Sequence, residues 1–295
     1  ARARVRLAAA VRAFLASRGY EEVETPCLVP APGTEPHLSA FEAPFVPEGG
    51  GGPRPLWLHT SPEYAMKRLL AGGFERIFQL ARVFRNGEVS AAHNPEFTML
   101  ELYRAGTGYR GIMEDLEALA AEAARALTGG TRLSRGGREV DLSPPFERLT
   151  VAEAFRSRAG VDLEACGEDG PRLQAAARAR GLDAGPEGEE FGDAFFRIFL
   201  QAVEPTLGFP RPVYLVDWPP SMAALARLGP GGRFAERFEL YLAGLELANG
   251  FSELNDAVEQ RRRLEAERAE RRRLGRPVTP LDERFLEALP RMPDA

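Results

Sequence analysis

The chain has 295 residues, 44% of them hydrophobic and 27% charged, which is enough for one large or two modest buried cores. That composition excludes a disordered tail and a small disulfide-stapled scaffold. Acidic residues outnumber basic ones 43 to 38, for a formal charge of −5, so no global positive field coats a polyanion. Lys67 is the single lysine among the 38 basic residues, a bias toward Arg that carries no functional signal. Cys27 and Cys166 match no metal spacing and fit a reduced compartment. Without a run of about 20 apolar residues or a signal-peptide pattern, the expectation is a soluble, cytoplasmic protein with no membrane partner.

Leu7, Val11, Phe14 and Leu15 recur at helical spacing before Gly19, which predicts an amphipathic helix over 3–18. A strand is predicted at Glu21–Thr25, then an irregular Pro-rich crossing, then strands at Phe41–Val46 and Leu56–Thr60 around the Gly49–Gly52 tip. Thr60-Ser61-Pro62-Glu63 combines capping residues with Pro near the first turn, predicting a helix to about Leu70 that stops at Gly72-Gly73. Segments 76–84 and 96–104 read as a long antiparallel hairpin around Arg85–Pro95. Alternation puts Phe97, Met99, Glu101 and Tyr103 on one face, a mixed surface that suits a pocket floor better than a core.

A helix follows at 109–127, then a Gly-rich turn and an α-rich stretch from about 145 to 208, with 181–192 as its loop. Val213–Asp217 and Phe238–Leu242 read as strands, the second leading into Gly244–Glu253. Residues 256–274 form a charge-dense helix with a solvated face of alternating signs, followed by a short helix near 282–289. The pattern is α+β, a mainly antiparallel sheet with helices packed on it.

Arg85 and His93 bracket the hairpin tip, where a guanidinium can bind two phosphate oxygens in a planar fork, and Phe97 offers a ring for a nucleobase. Singly, each has an ordinary structural role: a surface ion pair, a turn residue, a core aromatic. Glu246 and Glu253 are seven apart and would face opposite sides of a regular strand, but Asn249-Gly250 permits a bend or bulge that turns both inward. Two carboxylates with phosphate oxygens suit Mg²⁺; two solvent-exposed edge glutamates are the equal alternative. Ser61 and Glu63 also read as helix-cap residues. Glu101, between Met99 and Tyr103, needs a partner, and a ligand ammonium would serve.

Thr60-Ser61-Pro62-Glu63-Tyr64, Phe84-Arg85-Asn86, His93 through Glu101 and Glu246–Glu253 closely resemble the class II lysyl-tRNA synthetase catalytic core. Within that superfamily the chain most resembles the elongation factor P lysine ligases, paralogues of lysyl-tRNA synthetase. The form Gly244-Leu245-Glu246-Leu247-Ala248-Asn249-Gly250-Phe251 carries that preference, as does Ser221–Ala226 in place of the synthetases' Ser-Pro-Leu. A start at the dimerisation helix, with no room for an anticodon-binding domain, points the same way. The resemblance implies one class II catalytic domain over 1–295, with about 145–208 a helical insertion.

By position, it implies Arg85 on the ATP α-phosphate as the catalytic residue, with Asn86, His93 and Asn94 around the phosphates, Phe97 on adenine, and Leu247 also in the ATP site. Glu246 and Glu253 would hold Mg²⁺ and phosphate oxygens. Ser61, Pro62 and Glu63 would lie at the amino-acid backbone end, Glu101 and Tyr103 at the side-chain ammonium, with Asn249 and Glu253 also on the substrate. The implied reaction is activation of lysine or β-lysine as its adenylate and transfer to a lysine of elongation factor P, by a homodimer formed near Arg2–Pro26, with no stable tRNA binding. Two departures stand out: Gly87 replaces the family's Glu, with Glu88 beside it, and a third, ATP-clamping motif is missing after Asp294. The alternatives are the catalytic core of a lysyl-tRNA synthetase and a noncatalytic paralogue that binds nucleotide or a partner.

Overall fold

The computed structural model describes residues 1–295. Helix α1 spans Arg2–Ser17, with Val11 and Leu15 buried, but Val5 and Leu7 are exposed, so the apolar stripe is used only in its C-terminal half. Short strands follow at Glu21–Glu22 (β1), Leu28–Val29 (β2), Phe41–Glu42 (β3) and Trp57–Leu58 (β4). β1, β3 and β4 are shorter than the sequence suggested, and β2 forms within the crossing expected to be irregular; Pro removes ladder donors and Gly weakens what remains. Helix α2 (Glu63–Ala71) is followed by the predicted hairpin of β5 (Arg76–Phe84) and β6 (Glu96–Arg104). The hairpin pairs without a break from Phe84 opposite Glu96 to Arg76 opposite Arg104. Helix α3 covers Tyr109–Thr128 and ends at Gly129 in the left-handed region, the conformation a helix C-terminus favours and glycine tolerates.

The Gly-rich turn after α3 contains a hairpin, β7 (Arg132–Arg135) and β8 (Arg138–Asp141), turning at Gly136-Gly137, and the α-rich stretch begins with a strand, β9 (Glu147–Thr150). Four-residue strands carry too little alternation to register against their surroundings. Helices then occupy Val151–Ala154 (α4), Leu163–Cys166 (α5), Gly170–Arg178 (α6) and Phe191–Ile198 (α7), with the loop before α7 where it was predicted. Strands β10 (Val213–Trp218), β11 (Ala235–Leu242) and β12 (Leu245–Phe251), then helices α8 (Ala257–Arg273) and α9 (Glu283–Ala288), complete the chain. The pairings are mostly antiparallel; β1 with β5 and β9 with β10 are parallel. No helix is long and apolar enough to cross a membrane.

Contacts divide the chain into two units, residues 1–14 with 107–253 and residues 15–106 with 254–295. The first is built on the sheet β12-β11-β10-β9. One face of that sheet, through Tyr214, Val216, Phe238 and Leu240, packs against Tyr109 and Met113 of α3. The other face packs against the 151–207 helices, where Phe155, Phe195, Phe199, Trp218 and Tyr241 form a contiguous aromatic cluster with successive centroids 4.7–6.2 Å apart. Aromatic pairs at such spacing add to the burial of their area, so the helical region serves as half of this core.

The second unit holds the β5–β6 hairpin, α2, α8 and α9. Phe285 of α9 is fully buried and stacks on Tyr64 of α2 at 4.2 Å. Helix α8 carries surface pairs such as Arg262–Glu259 and Arg273–Glu270, as its alternating charges predicted. Its other side departs from that picture, with Gln260, Leu264 and Arg271 buried. The Arg271 guanidinium donates to the carbonyl oxygens of Pro277, Glu35 and Leu38, each at 2.7 Å. Arg276 donates to Pro36 O at 2.9 Å and Thr279 to Gly33 O at 2.6 Å, so α8 and the segment after it staple the Pro-rich loop at 33–38 through its backbone.

Candidate functional site

In the second unit, the start of α2 and the middle of β6 build one hydrogen-bonded carboxylate site. Pairing within β5–β6 places Phe97, Met99, Glu101 and Tyr103 opposite Val83, Ala81, Gln79 and Ile77, the face the alternation predicted. Glu101 is gripped from both sides: Ser61 Oγ donates to Oε1 at 2.5 Å and Tyr103 OH to Oε2 at 2.7 Å. Ser61 Oγ also accepts the Glu63 N–H at 3.0 Å, so the helix-cap and ligand-site roles of Ser61 coexist in one side chain. Burial and the Glu63 charge push the Glu101 carboxyl up to about 7, against the two hydrogen bonds and the charge of Lys67.

Lys67, 2% exposed, pairs with Glu63 at 2.5 Å one helical turn away. A buried ammonium requires such a partner, and the sequence singled out Lys67 only as a compositional oddity. An open pocket beside this cluster is lined by Gly33, Glu35, Ser61, Pro62, Glu63 and Tyr64, among others. Glu35 is a second carboxyl pushed up to about 7, first by burial and then by the charge of Glu267. Glu267 reaches in from α8 and accepts the Thr34 hydroxyl at 2.5 Å. Sequence reading missed Glu35 and Glu267; the signal available was an acid within a Pro/Gly-rich crossing and one on a helix otherwise full of paired charges.

Arg85 follows β5 with its guanidinium 5.3 Å from the Phe97 ring centre and its Nη1 3.7 Å from Glu88. Its Nε is buried and meets no hydrogen-bond acceptor, a donor left for something the protein does not itself supply. Gly87 has φ +87°, a region where a Glu would be strained, and Glu88 presents the acid one residue later. Asn86, His93 and Asn94 sit exposed in the loop, His93 with Nδ1 2.8 Å from Ser90 Oγ. The structure thus brings Ser61, Glu63, Glu101 and Tyr103 together and pairs Arg85 with Phe97 and with Glu88 of the loop.

In the first unit, Glu246, Leu247, Asn249 and Glu253 lie on and just after β12. The ladder to β11 pairs Glu246 with Tyr241 and Ala248 with Leu240, leaving Leu247 as the extra residue of a bulge. The irregularity expected at Asn249-Gly250 therefore occurs two residues earlier. It brings Glu246, Asn249 and Phe251 onto the face of Tyr241, Glu239 and Arg237. Ser252 points the other way, its hydroxyl accepting the Tyr109 N–H at 3.0 Å, and Glu253 follows on the Glu246 face. Glu246 and Asn249 are exposed, Leu247 is 58% exposed and Glu253 is buried.

Between the two acids lies Glu239, buried, accepting from Arg237 at 2.6 Å and Tyr241 at 2.7 Å; burial raises its carboxyl. It too was missed, although an acid flanked by Phe238 and Leu240 in a buried strand is a visible signal. No cluster of three His, Cys, Asp or Glu side chains forms a self-sufficient metal site. Two carboxylates on one strand face do match Mg²⁺, which takes one or two protein carboxylates and completes its shell with water and substrate phosphate.

The family model described as tRNA synthetases class II (D, K and N) matches residues 1–293. A lysine–tRNA ligase of Moorella thermoacetica is 42% identical over 289 residues, 97% of this chain and 57% of that protein. An elongation factor P–(R)-beta-lysine ligase of Haemophilus influenzae is 40% identical over 295 residues, covering 99% of this chain and 85% of its own. One from Salmonella paratyphi B is 39% identical over 288 residues, 97% and 83%. The chain thus spans little more than half of the lysine–tRNA ligase and most of the two beta-lysine ligases.

Proposed function

We propose, from the premise that this chain belongs to the class II tRNA synthetase family (D, K and N), that it is an ATP-dependent ligase for a lysine-type amino acid. It activates lysine or β-lysine as the adenylate, releasing pyrophosphate, and transfers the acyl group to a lysine ε-amine of elongation factor P, forming an amide and releasing AMP. The observation that carries this reading is Glu101, a carboxylate fixed by Ser61 and Tyr103 beside an open pocket, as recognition of a ligand ammonium requires. The coverage of the beta-lysine ligases at about 40% identity supports the acceptor.

In this reading the amino-acid carboxylate attacks the α-phosphorus in line and no protein nucleophile is needed. The protein supplies position and charge. Arg85, with its unused Nε and planar fork, binds α-phosphate oxygens, and Phe97 stacks on adenine. Asn86, His93 and Asn94 close on the phosphates from the loop, and Leu247 contacts the nucleotide. Glu246 and Glu253 hold Mg²⁺, which would neutralise phosphate charge, and Asn249 and Pro62 contact substrate. Residues 1–295 act as one catalytic domain, and the exposed Val5 and Leu7 of α1 support a homodimer through Arg2–Pro26.

A second reading, the catalytic core of a lysyl-tRNA synthetase, is favoured by the 42% identity to the Moorella enzyme. Intact mass of elongation factor P, after incubation with the full-length gene product, ATP, Mg²⁺ and each lysine isomer in the presence of lysine tRNA, separates the two. A gain of one lysyl unit on the protein supports the first; charged tRNA with unmodified protein supports the second.

A further inference from the structure

We infer that Glu35 is a specificity-determining residue of the amino-acid pocket, the carboxylate that receives the second ammonium of a diamino acid whose side-chain ammonium is held at Glu101. This rests on the proposed lysine-type substrate and adds a residue to it. The geometry is that of a pocket in which one acid has been left over. Glu63 is already matched by Lys67 at 2.5 Å, Glu101 is fixed by two neutral donors, and Glu267 accepts the Thr34 hydroxyl. Glu35 lines the same pocket as Ser61 and Glu63, and its carboxylate accepts no hydrogen bond from any other residue. It lies folded over Gly33, where a Cβ would collide with it, and within electrostatic reach of Glu63 from α2, Glu267 from α8 and Arg85 after β5.

The loop that carries Glu35 is held through its backbone, by Arg271 on Glu35 O and Leu38 O, Arg276 on Pro36 O and Thr279 on Gly33 O. The fold therefore fixes the position of the residue without using its carboxylate. A half-buried acid whose carboxylate accepts only its own backbone N–H and repels two neighbours costs stability, so its use lies in what enters the pocket. Glu35, Glu63, Glu101 and Glu267 share the ammonium of Lys67 at Glu63 and Glu101 and the guanidinium charges of Arg85, Arg263 and Arg271 at Glu35 and Glu267. A lysine-type ligand brings two more ammonium groups, one for Glu101 and one for Glu35, whose carboxylate accepts only its own backbone N–H. Because Glu35 approaches from the Gly33 side and Arg85 is among its electrostatic neighbours, that second ammonium would be the one nearer the ligand's reacting carboxylate.

Calorimetric titration of the protein with lysine, β-lysine and 6-aminohexanoate tests this, since 6-aminohexanoate retains the distal ammonium and the carboxylate but lacks the second amine. The unsubstituted protein is expected to prefer one of the diamino acids to 6-aminohexanoate by at least tenfold. In Glu35→Gln that preference should fall by tenfold or more, while the affinity for 6-aminohexanoate changes less than twofold. The thermal midpoint of ligand-free Glu35→Gln should hold or rise, because a structurally required acid would lower it; Glu35→Ala provides the same comparison without an amide. Equal weakening for all ligands, or an undiminished preference, overturns the assignment while leaving the lysine site standing. Binding of none of the three by the unsubstituted protein overturns the lysine-type reading itself and this assignment with it.

Discussion

Replacing Lys67 with Met removes the cation paired with Glu63 and leaves that carboxylate facing Glu101 and Glu35 without its partner. At 2.5 Å the Lys67–Glu63 attraction is on the order of 7 kcal/mol gross with an effective dielectric of about 20, opposed by the cost of burying the ammonium. Losing one partner of a buried pair costs about 3–5 kcal/mol, and because Glu63 retains some solvent contact the lower end, about 3 kcal/mol, is expected at pH 7.5. The Met side chain roughly preserves volume, so the loss reports charge and not a cavity. Lys67 is among the charges that hold the Glu101 carboxyl down; without it Glu101 takes up its proton at a higher pH, and the deficit should narrow as pH falls to 5. Urea unfolding at both pH values measures this, with Lys67→Met/Glu63→Gln as the double variant that should recover most of the loss. A deficit below about 1 kcal/mol, or one identical at both pH values, would refute the account of Lys67 as the counter-charge of the pocket.

The ligand-free protein should itself lose stability between pH 5 and 8. The Glu35 and Glu101 carboxyls are both raised to about 7 in the folded state, so their contribution is full below the unfolded pKa and disappears as pH rises through 7, at about 1.4 kcal/mol per unit of separation. A flat stability profile across that range would contradict it. Glu101→Gln should weaken lysine binding at least tenfold with nucleotide affinity nearly intact, measured by calorimetry; equal losses would remove Glu101 from the ammonium role. Arg85→Ala should abolish adenylate formation, followed as pyrophosphate exchange, with the circular dichroism spectrum unchanged. Phe195→Ala, at the centre of the aromatic cluster, should cost about 3–5 kcal/mol in urea unfolding, and a loss under 1 kcal/mol would mean that the 151–207 helices do not carry that core.

What the sequence made legible follows from how far each signal reaches. The β5–β6 hairpin and the face carrying Glu101 and Tyr103 are local alternation over nine residues, and they were readable. So was the capping pattern at Ser61. The hairpin at Arg132–Asp141 and the strand at Glu147–Thr150 were not, because elements of four residues offer too few alternations, and β9 exists through pairing with β10, more than sixty residues away. Glu35 and Glu267 are 232 positions apart, and only tertiary structure brings the loop and α8 together; no spacing rule sees that. Arg271 was hidden differently, within a charge-dense helix whose other arginines are indeed paired at the surface.

The two glutamates of β12 show how a motif can be right for a reason one step removed from the one visible in sequence. A seven-residue separation on a regular ladder puts Glu246 and Glu253 on opposite faces, and the glycine after Asn249 was the obvious place for an irregularity. The ladder places the extra residue at Leu247 instead, and Gly250 meets a different need, close approach to the Phe238 ring: a Cβ there would collide with it. Leu247 is 58% exposed and contributes no core packing, so its main structural effect is to change the parity of the strand. Deleting Leu247 should regularise the ladder with Glu246 still opposite Tyr241, leaving stability within about 0.5 kcal/mol, the range for surface changes. Magnesium titration of nucleotide binding in the deletion decides it: Mg²⁺-dependent affinity should be retained, and its loss with the sheet intact would mean that strand parity is not what aligns the two acids.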